Sequence, residues 1–238
     1  MKEENGTNEL KDVTKEILGW EDNKLFRTLK HLTTAPGLIN AEYCRGDKQK
    51  YLSPIVYFFG VTALETFIAT KIGLFDFMLE QNRQSILNGL SDPRVASAGF
   101  DSSKIIENVN SNFSFFFSEL GQKIFLIPLL LLLTWFFYRE YNKSLKENTW
   151  FALYALGHAT LLSLPFMLLW YLTKNLILMS AFPFLIAFVY WVWASKQFYN
   201  LKLGTALLLR FLMMLVAQLI MGVGFLVMVV IVMLSSRG

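Results

Sequence analysis

The chain has 238 residues, of which 54% are hydrophobic, 16% aromatic and 17% charged. Soluble domains carry about 25% charged residues, so this composition excludes an ordinary soluble globular protein. The net charge of +4 comes from Lys and Arg residues that lie mainly between apolar runs, which indicates contact with anionic membrane lipids and argues against direct nucleic-acid binding.

The first predicted element is an amphipathic helix in a polar, basic segment at residues 1–52. Apolar and basic side chains recur there at helical spacing: Leu25, Phe26, Leu29 and Leu32 among Lys24, Arg27, Lys30 and His31. Such a helix either lies in the membrane interface with its cations toward the lipid headgroups or packs on the cytoplasmic loops of its own chain. Pro36 and Gly37 break it. Residues 53–238 are assigned to a transmembrane domain.

A membrane-interface anchor is predicted where the polar segment meets the first apolar run. Its residues are Gly46, Lys48, Lys50, Tyr51 and Pro54. Gly46 suits a helix stop that needs a positive φ, and Pro54 suits the first turn of a membrane helix. Lys48 and Lys50 reach the headgroup level, and Tyr51 serves as an aromatic anchor. Together these residues are expected to set the depth and register of the first span.

Five apolar runs are long enough to cross the hydrocarbon core of a membrane. A spanning helix needs about 20 apolar residues, and within lipid only helices and closed barrels satisfy every backbone hydrogen bond. The runs cover residues 53–70, 120–138, 149–172, 176–194 and 205–234. The sequence therefore predicts an all-α, polytopic membrane helical bundle of about five transmembrane helices, with the amphipathic segment at its interface.

The distribution of basic residues predicts the orientation of this bundle. With five spans, the side that holds the amino terminus carries fourteen Lys and Arg residues, and the opposite side carries seven. The positive-inside rule then places the amino terminus in the cytoplasm. A polar segment at about residues 72–119 faces outward.

The residues around the predicted anchor resemble the signature of a known family. Residues 36–54 contain Pro-Gly followed by Tyr-x-x-Gly-x-Lys-x-x-Tyr-x-x-Pro, which is similar to the pattern of a widespread bacterial multi-spanning membrane family of unknown function. The resemblance continues in residues 141–158, where an aromatic loop enters a helix with a central histidine, and in residues 197–199. Many relatives begin with a paired-cysteine zinc ribbon, and this sequence resembles a short form that lacks it.

The size, span count and Lys/Asn/Phe-rich style are also similar to those of small membrane proteins encoded beside RNA-targeting type VI CRISPR effectors. This resemblance implies an antiviral membrane accessory that modulates the effector nuclease or acts downstream of it. A cytoplasmic effector protein is the partner that this resemblance implies, beside the membrane lipids and further copies of the chain that the residue patterns predict.

The residue types offer no catalytic or metal-binding constellation. His31 and His158 are the two histidines, and neither has acidic or cysteine partners at ligand spacing. HExxH, GxSxG and P-loop patterns are missing. Cys44 is the single cysteine; its neighbour Arg45 favours a lowered thiol pKa, but a lone cysteine is more often an ordinary interfacial residue. We predict a non-enzymatic protein without a cofactor or a metal.

Polar side chains inside the predicted spans are the candidate functional residues: Glu65, His158, Arg210 and Gln218. Such residues are costly in lipid and tend to face a bundle interior or a water-filled path. They either join helices or line a pore or gate. Their similar depths predict that Glu65 and Arg210 pair directly or through water, with His158 close enough to sense both charges.

These features support three functional hypotheses. The first is an oligomeric membrane effector or pore-like accessory whose opening perturbs ion gradients. The alternatives are a membrane scaffold that recruits or regulates a cytoplasmic partner through its basic amino-terminal face, and a small transporter. Gly222 and Gly224 in the last run predict a self-association face, because small residues let helices approach closely within lipid.

Overall fold

The computed structural model describes residues 23–90 and 119–235, and every regular element in these two ranges is helical. The elements are α1 (Lys24–Thr34), α2 (Pro36–Arg45), α3 (Pro54–Lys71), α4 (Leu74–Leu90), α5 (Glu119–Tyr138), a 3-10 turn (Arg139–Tyr141), α6 (Leu145–Thr173), α7 (Leu176–Phe198) and α8 (Leu203–Ser235). The predicted all-α class is confirmed for this part of the chain. Most of the predicted outward segment, residues 91–118, lies outside the described residues.

Three of the described helices are long and apolar enough to cross a membrane. They are α6, α7 and the Leu203–Gly224 part of α8, with 29, 23 and 22 residues. This finding supports the prediction that the chain is a membrane protein. The other two predicted runs form α3 and α5, which have 18 and 20 residues and are not among these three.

Local signals in the sequence set the start of α6 and the turn into α7. Ser144 accepts a hydrogen bond from the Glu147 N–H at 3.2 Å, and the Glu147 carboxylate accepts one from the Ser144 N–H at 2.8 Å. This capping box satisfies two backbone donors at the start of the helix. Lys174 ends α6 in the left-handed conformation, and the Asn175 side chain caps α7 by accepting the Ile177 N–H at 3.0 Å.

Helix α6 lies at the centre and packs on α3, α5 and α7, while α8 packs on α5 and α7. Tyr138, at the end of α5, stacks on Tyr199, just beyond α7, with ring centroids 4.4 Å apart. The Tyr199 hydroxyl donates to Asn148 Oδ1, near the start of α6, at 2.5 Å. One end of the bundle therefore contains the end of α5, the start of α6 and the end of α7. We call it the hairpin end, because α1 and α2, which form a helical hairpin, pack there.

The opposite end of the bundle is built mainly from apolar contacts. Trp170, near the end of α6, packs against Phe77 of α4 with ring centroids 5.0 Å apart. Ala69 and Leu74, on either side of the turn between α3 and α4, are buried in the same cluster. Helix α4 thus packs against the end of α6 that is farther from the hairpin end.

Helices α1 and α2 form an N-terminal hairpin, residues 24–45, that is part of the bundle core. Leu32 and Ile39 are fully buried in one cluster with Tyr57 of α3 and Tyr154 of α6. Of the two arrangements that the amphipathic pattern allows, the structure has the helix packed on its own chain. The predicted division at residue 52 between a cytoplasmic segment and a transmembrane domain stays a prediction.

Candidate functional site

The candidate site is the junction where the N-terminal hairpin meets α3, α6 and α7. A glycine makes the closest approach. A Cβ atom at Gly37 would lie 2.3 Å from Gln197 Cβ and 2.8 Å from the Phe198 backbone nitrogen, so no larger residue fits without a shift. The Gly37 N–H also donates to Gln197 Oε1 at 3.1 Å. This contact holds the first turn of α2 against the end of α7.

The chain leaves the hairpin through the conformations that the anchor residues predict. Gly46 ends α2 with a φ of 118°, in the left-handed region that favours glycine. Pro54 is the first residue of α3, and Ser53 caps that helix by accepting the Val56 N–H at 3.2 Å. These two parts of the prediction, the glycine stop and the proline start, are confirmed.

The lysines and tyrosine of the predicted anchor have protein contacts. Lys48 lies over the Trp150 ring, 5.7 Å from its centroid, and Lys50 pairs with Asp47 at 3.1 Å. Tyr51 is only 2% exposed. Its ring is enclosed by the hairpin, and its predicted role as a membrane-interface anchor stays a prediction.

Tyr51 joins two polar residues of the hairpin. Its hydroxyl donates to Glu42 Oε2 at 2.6 Å and must then accept from His31 Nδ1, which lies 2.7 Å away. Burial and the Glu42 carboxylate both raise the pKa of Tyr51, so the hydroxyl keeps its proton. The three residues link α1, α2 and the segment that leads into α3.

His158 lies at the centre of the junction and is 1% exposed. Its Nδ1 is 2.7 Å from the Tyr57 hydroxyl of α3, and its Nε2 is 3.1 Å from Thr33 Oγ1 of α1. The Tyr190 ring of α7 lies beside it, with centroids 5.0 Å apart. This single side chain of α6 therefore contacts the hairpin and two further helices.

The hydrogen bonds around His158 are consistent with one neutral tautomer. The Thr33 hydroxyl donates to the Leu29 carbonyl at 2.8 Å, so its oxygen accepts from His158 Nε2–H. Nδ1 is then an acceptor for the Tyr57 hydroxyl. The resulting chain runs from Tyr57 through His158 and Thr33 to a backbone carbonyl, which suits a structural link between helices.

Two further tyrosines satisfy backbone groups at this junction. The Tyr190 hydroxyl donates to the Leu32 carbonyl at 3.0 Å, and Leu32 is in the last turn of α1, where carbonyls have no partner within the helix. The Tyr154 hydroxyl donates to the Leu52 carbonyl, while the Leu52 N–H donates to Thr28 Oγ1 at 3.0 Å. The hairpin is therefore held by directional contacts as well as by apolar packing.

Cys44 lies on the side of α2 that faces the α5–α6 turn. Burial raises the pKa of its thiol to about 11, and the negative charge of Glu147 acts in the same direction. Lys143 and Lys146 lower this pKa, but by less than burial raises it. The alternative of a reactive thiol activated by Arg45 is not supported.

The four polar residues predicted inside the spans are not brought to one place. Arg210 is 7% exposed, and its guanidinium lies over the Trp191 ring at 4.5 Å from the centroid. Gln218 is exposed on α8, and Glu65 is partly buried on α3. The predicted pairing of Glu65 with Arg210 stays a prediction.

Gly222 and Gly224 lie on an open part of α8. A Cβ atom added to either glycine would meet no atom within 4 Å, and both residues are exposed. Neither glycine is used for close packing inside this chain. The predicted self-association face stays a prediction.

Sequence reasoning missed Thr33, Tyr57 and Tyr190 as partners of His158. The sequence separation between Thr33 and His158 is 125 residues, so no local spacing relates them. The available signal was the group of tyrosines near the ends of apolar runs, because a buried tyrosine needs a hydrogen-bond partner. Within the part of the chain that the structure describes, no group of three metal-ligating side chains is present.

The comparisons with known proteins point to the same segment. A family model described as "Protein of unknown function (DUF3667)" matches residues 22–65, which include the hairpin and most of α3. No curated protein and no solved structure matches the chain. The matched segment contains Thr33 and Tyr57, two of the residues that contact His158.

Proposed function

We propose that the protein is a non-enzymatic, multi-pass protein of the bacterial inner membrane that acts as a scaffold for a cytoplasmic partner. In this proposal α3 and α5 join the three long apolar helices to make five spans. The hairpin end faces the cytoplasm. The excess of Lys and Arg at this end supports the orientation through the positive-inside rule.

The observation that carries the proposal is the hairpin docked into one end of the bundle. Because its inner side is held by His158, Tyr190 and Gln197, its outer side is presented in a fixed position. Exposed cations surround it at the same end: Lys24, Lys30, Arg45, Lys48, Lys50, Arg139, Lys146, Lys196 and Lys202. A rigid basic surface of this kind suits an acidic surface on a protein partner, through complementary charge.

The positions of the polar side chains favour a scaffold over a pore within one chain. A water-filled path needs polar groups that face a common space. Here His158 is enclosed by tyrosines, Arg210 lies against Trp191, and Gln218 is exposed on the outside of α8. These surroundings differ, so His158, Arg210 and Gln218 give no continuous polar lining.

Charge reversal on the hairpin tests this function. We expect Lys24→Glu with Lys30→Glu to reduce co-purification of the partner while the protein stays in the membrane. Lys174→Glu, at the opposite end of α6, is the matched control and should leave recruitment unchanged. The resemblance to type VI CRISPR accessories makes their RNA-targeting nuclease the first partner to test. Depolarisation on expression, unaffected by the hairpin variants, would contradict the scaffold.

A second candidate function is the oligomeric membrane effector, and α8 supports it. This helix has 33 residues, and its outer surface carries exposed apolar side chains beside Gly222 and Gly224. Two copies of such a surface can pack closely in lipid. Gly222→Leu with Gly224→Leu should then shift the protein toward monomers on native gels and abolish depolarisation. Gly204→Leu, also in open space, is the control.

A further inference from the structure

Unpaired hydrogen-bond donors lie together where α5, α7 and α8 meet. Among the described residues, Arg210 Nε and Nη1, Trp191 Nε1 and the Tyr138 hydroxyl are buried and have no hydrogen-bond partner. The Arg210 guanidinium lies 4.5 Å from the Trp191 ring centroid. Tyr138 interacts electrostatically with Arg210, and its hydroxyl lies near Ser195 and Trp191 without a well-formed hydrogen bond to either. Three helices thus contribute donors to one small region.

The arrangement is costly unless an acceptor binds there. A buried cation without a counter-charge is strongly unfavourable, and the contact with Trp191 offsets only part of that cost. The described carboxylates form no salt bridge with Arg210. The Ser195 hydroxyl donates to the Val192 carbonyl at 3.1 Å, and its oxygen and that of Tyr138 are neutral acceptors only. The protein therefore supplies a guanidinium, an indole N–H and a phenol O–H, and the described residues supply no anionic acceptor for the guanidinium.

We propose that Arg210, Trp191 and Tyr138 form a binding site for a phosphate group. A guanidinium is permanently charged and presents a planar fork that matches phosphate oxygens, whereas indole and phenol groups add single donors. Arg210 lies two turns into α8, about 10 Å from the start of the helix at 1.5 Å per residue. The guanidinium is buried over the Trp191 ring, so a lipid headgroup at the hairpin end must reach inward to this depth to contact it.

The phosphate can come from an anionic lipid headgroup or from a soluble ion, and two measurements separate these sources. The full-length protein is placed in nanodiscs of phosphatidylcholine with or without phosphatidylglycerol, and retained lipid is measured by native mass spectrometry. In parallel, inorganic phosphate is added to the protein in a neutral detergent, and thermal unfolding is followed. Selective retention of phosphatidylglycerol assigns the lipid, and stabilisation by inorganic phosphate assigns the soluble ion.

Conservative variants connect either result to the three side chains. Arg210→Lys keeps the charge and removes the fork, Trp191→Phe keeps the ring and removes the N–H, and Tyr138→Phe removes only the hydroxyl. A hydrogen bond to a charged group contributes enough that losing one should weaken binding about tenfold. Two control variants should bind the anion as the parent does. Trp193→Phe changes a tryptophan two residues further along α7, and Lys202→Ala removes an exposed cation just before α8.

Two results would overturn the proposal. One is retention of neither phosphatidylcholine nor phosphatidylglycerol, both of which carry a phosphate group, together with no response to inorganic phosphate. The other is binding that is unchanged in Arg210→Lys, Trp191→Phe and Tyr138→Phe, since the anion would then be held elsewhere. Because the conservative variants keep the packing volume, these outcomes are readable even if Arg210→Ala fails to fold.

Discussion

The N-terminal hairpin and α8 both pack on α7, but their polar side chains have different surroundings. Thr33 in the hairpin and Tyr51 just after it each join two partners through defined hydrogen bonds. On α8, Arg210 has buried nitrogens without partners among the described residues, and Gln218 is exposed. Polar groups at the hairpin therefore serve attachment within the chain, whereas Arg210 contacts the Trp191 ring without a hydrogen bond from its buried nitrogens and Gln218 faces outward.

The hairpin is expected to fail most completely when its closest contact is blocked. Gly37→Ala places a Cβ within 2.3 to 2.8 Å of Gln197 and of the Phe198 backbone, so α2 must move away from α7. We expect a loss of roughly 3 kcal/mol in unfolding free energy, and release of residues 24–45 to protease. Thermal unfolding in detergent and limited proteolysis measure both effects.

Gly60→Ala is the matched control for this experiment. Gly60 lies inside α3, and a Cβ there meets no atom within 4 Å. Alanine favours helix over glycine by about 1 kcal/mol, so the control should be neutral or slightly stabilising. If Gly37→Ala behaves like Gly60→Ala, the hairpin is not docked as described.

Cys44 reports whether the hairpin stays docked, because its environment raises the pKa of the thiol to about 11. The thiolate is the reactive form, so alkylation below that pKa should rise about tenfold per pH unit. At pH 8 we expect a rate about 100-fold below that of an exposed thiol with a pKa near 9. Asp47→Cys with Cys44→Ser supplies that exposed reference. Comparable rates would show that the hairpin opens readily.

The bond between Tyr57 and His158 tests the centre of the junction. Tyr57→Phe leaves the His158 acceptor buried without its donor, which should cost about 1 to 2 kcal/mol of unfolding free energy. In a double-mutant cycle, His158→Phe should cost less in the Tyr57→Phe background than in the parent. Tyr171→Phe, which changes an exposed tyrosine, is the control. An additive cycle would mean that the two side chains are not coupled.

Much of the fold could be predicted because helix signals are local. Gly46 and Pro54 were assigned correctly, since a positive φ and the first turn of a helix each favour one residue type. The apolar runs likewise predicted helices near their observed positions. Three of the five runs form helices that are long and apolar enough to cross a membrane.

The partners at the candidate site could not be predicted, because they depend on contacts between distant residues. The sequence separation between Tyr57 and His158 is 101 residues, and neither residue type specifies the other. Tyr51 was assigned to the interface because tyrosines are frequent there. The docked hairpin encloses its ring. The periodicity of α1 alone could not show whether this helix lies in the membrane interface or packs on its own chain.

The smallest expected effect concerns Lys48 and Lys50, whose contacts could be to lipid or to protein. If each lysine holds an anionic headgroup, it contributes about 1 kcal/mol, and either Glu substitution should lower membrane yield similarly, while Arg should be harmless. In the structure Lys50 lies beside Asp47 and Glu42, whereas Lys48 lies over Trp150. A protein role therefore predicts that Lys50→Glu, which adds a third acid to this group, lowers the yield more than Lys48→Glu does. The membrane yield of four single variants, Glu and Arg at each position, decides between a lipid contact and a protein contact. Equal losses from both Glu variants would assign the two lysines to lipid. A larger loss from Lys50→Glu would place Lys50 in the attachment of the hairpin.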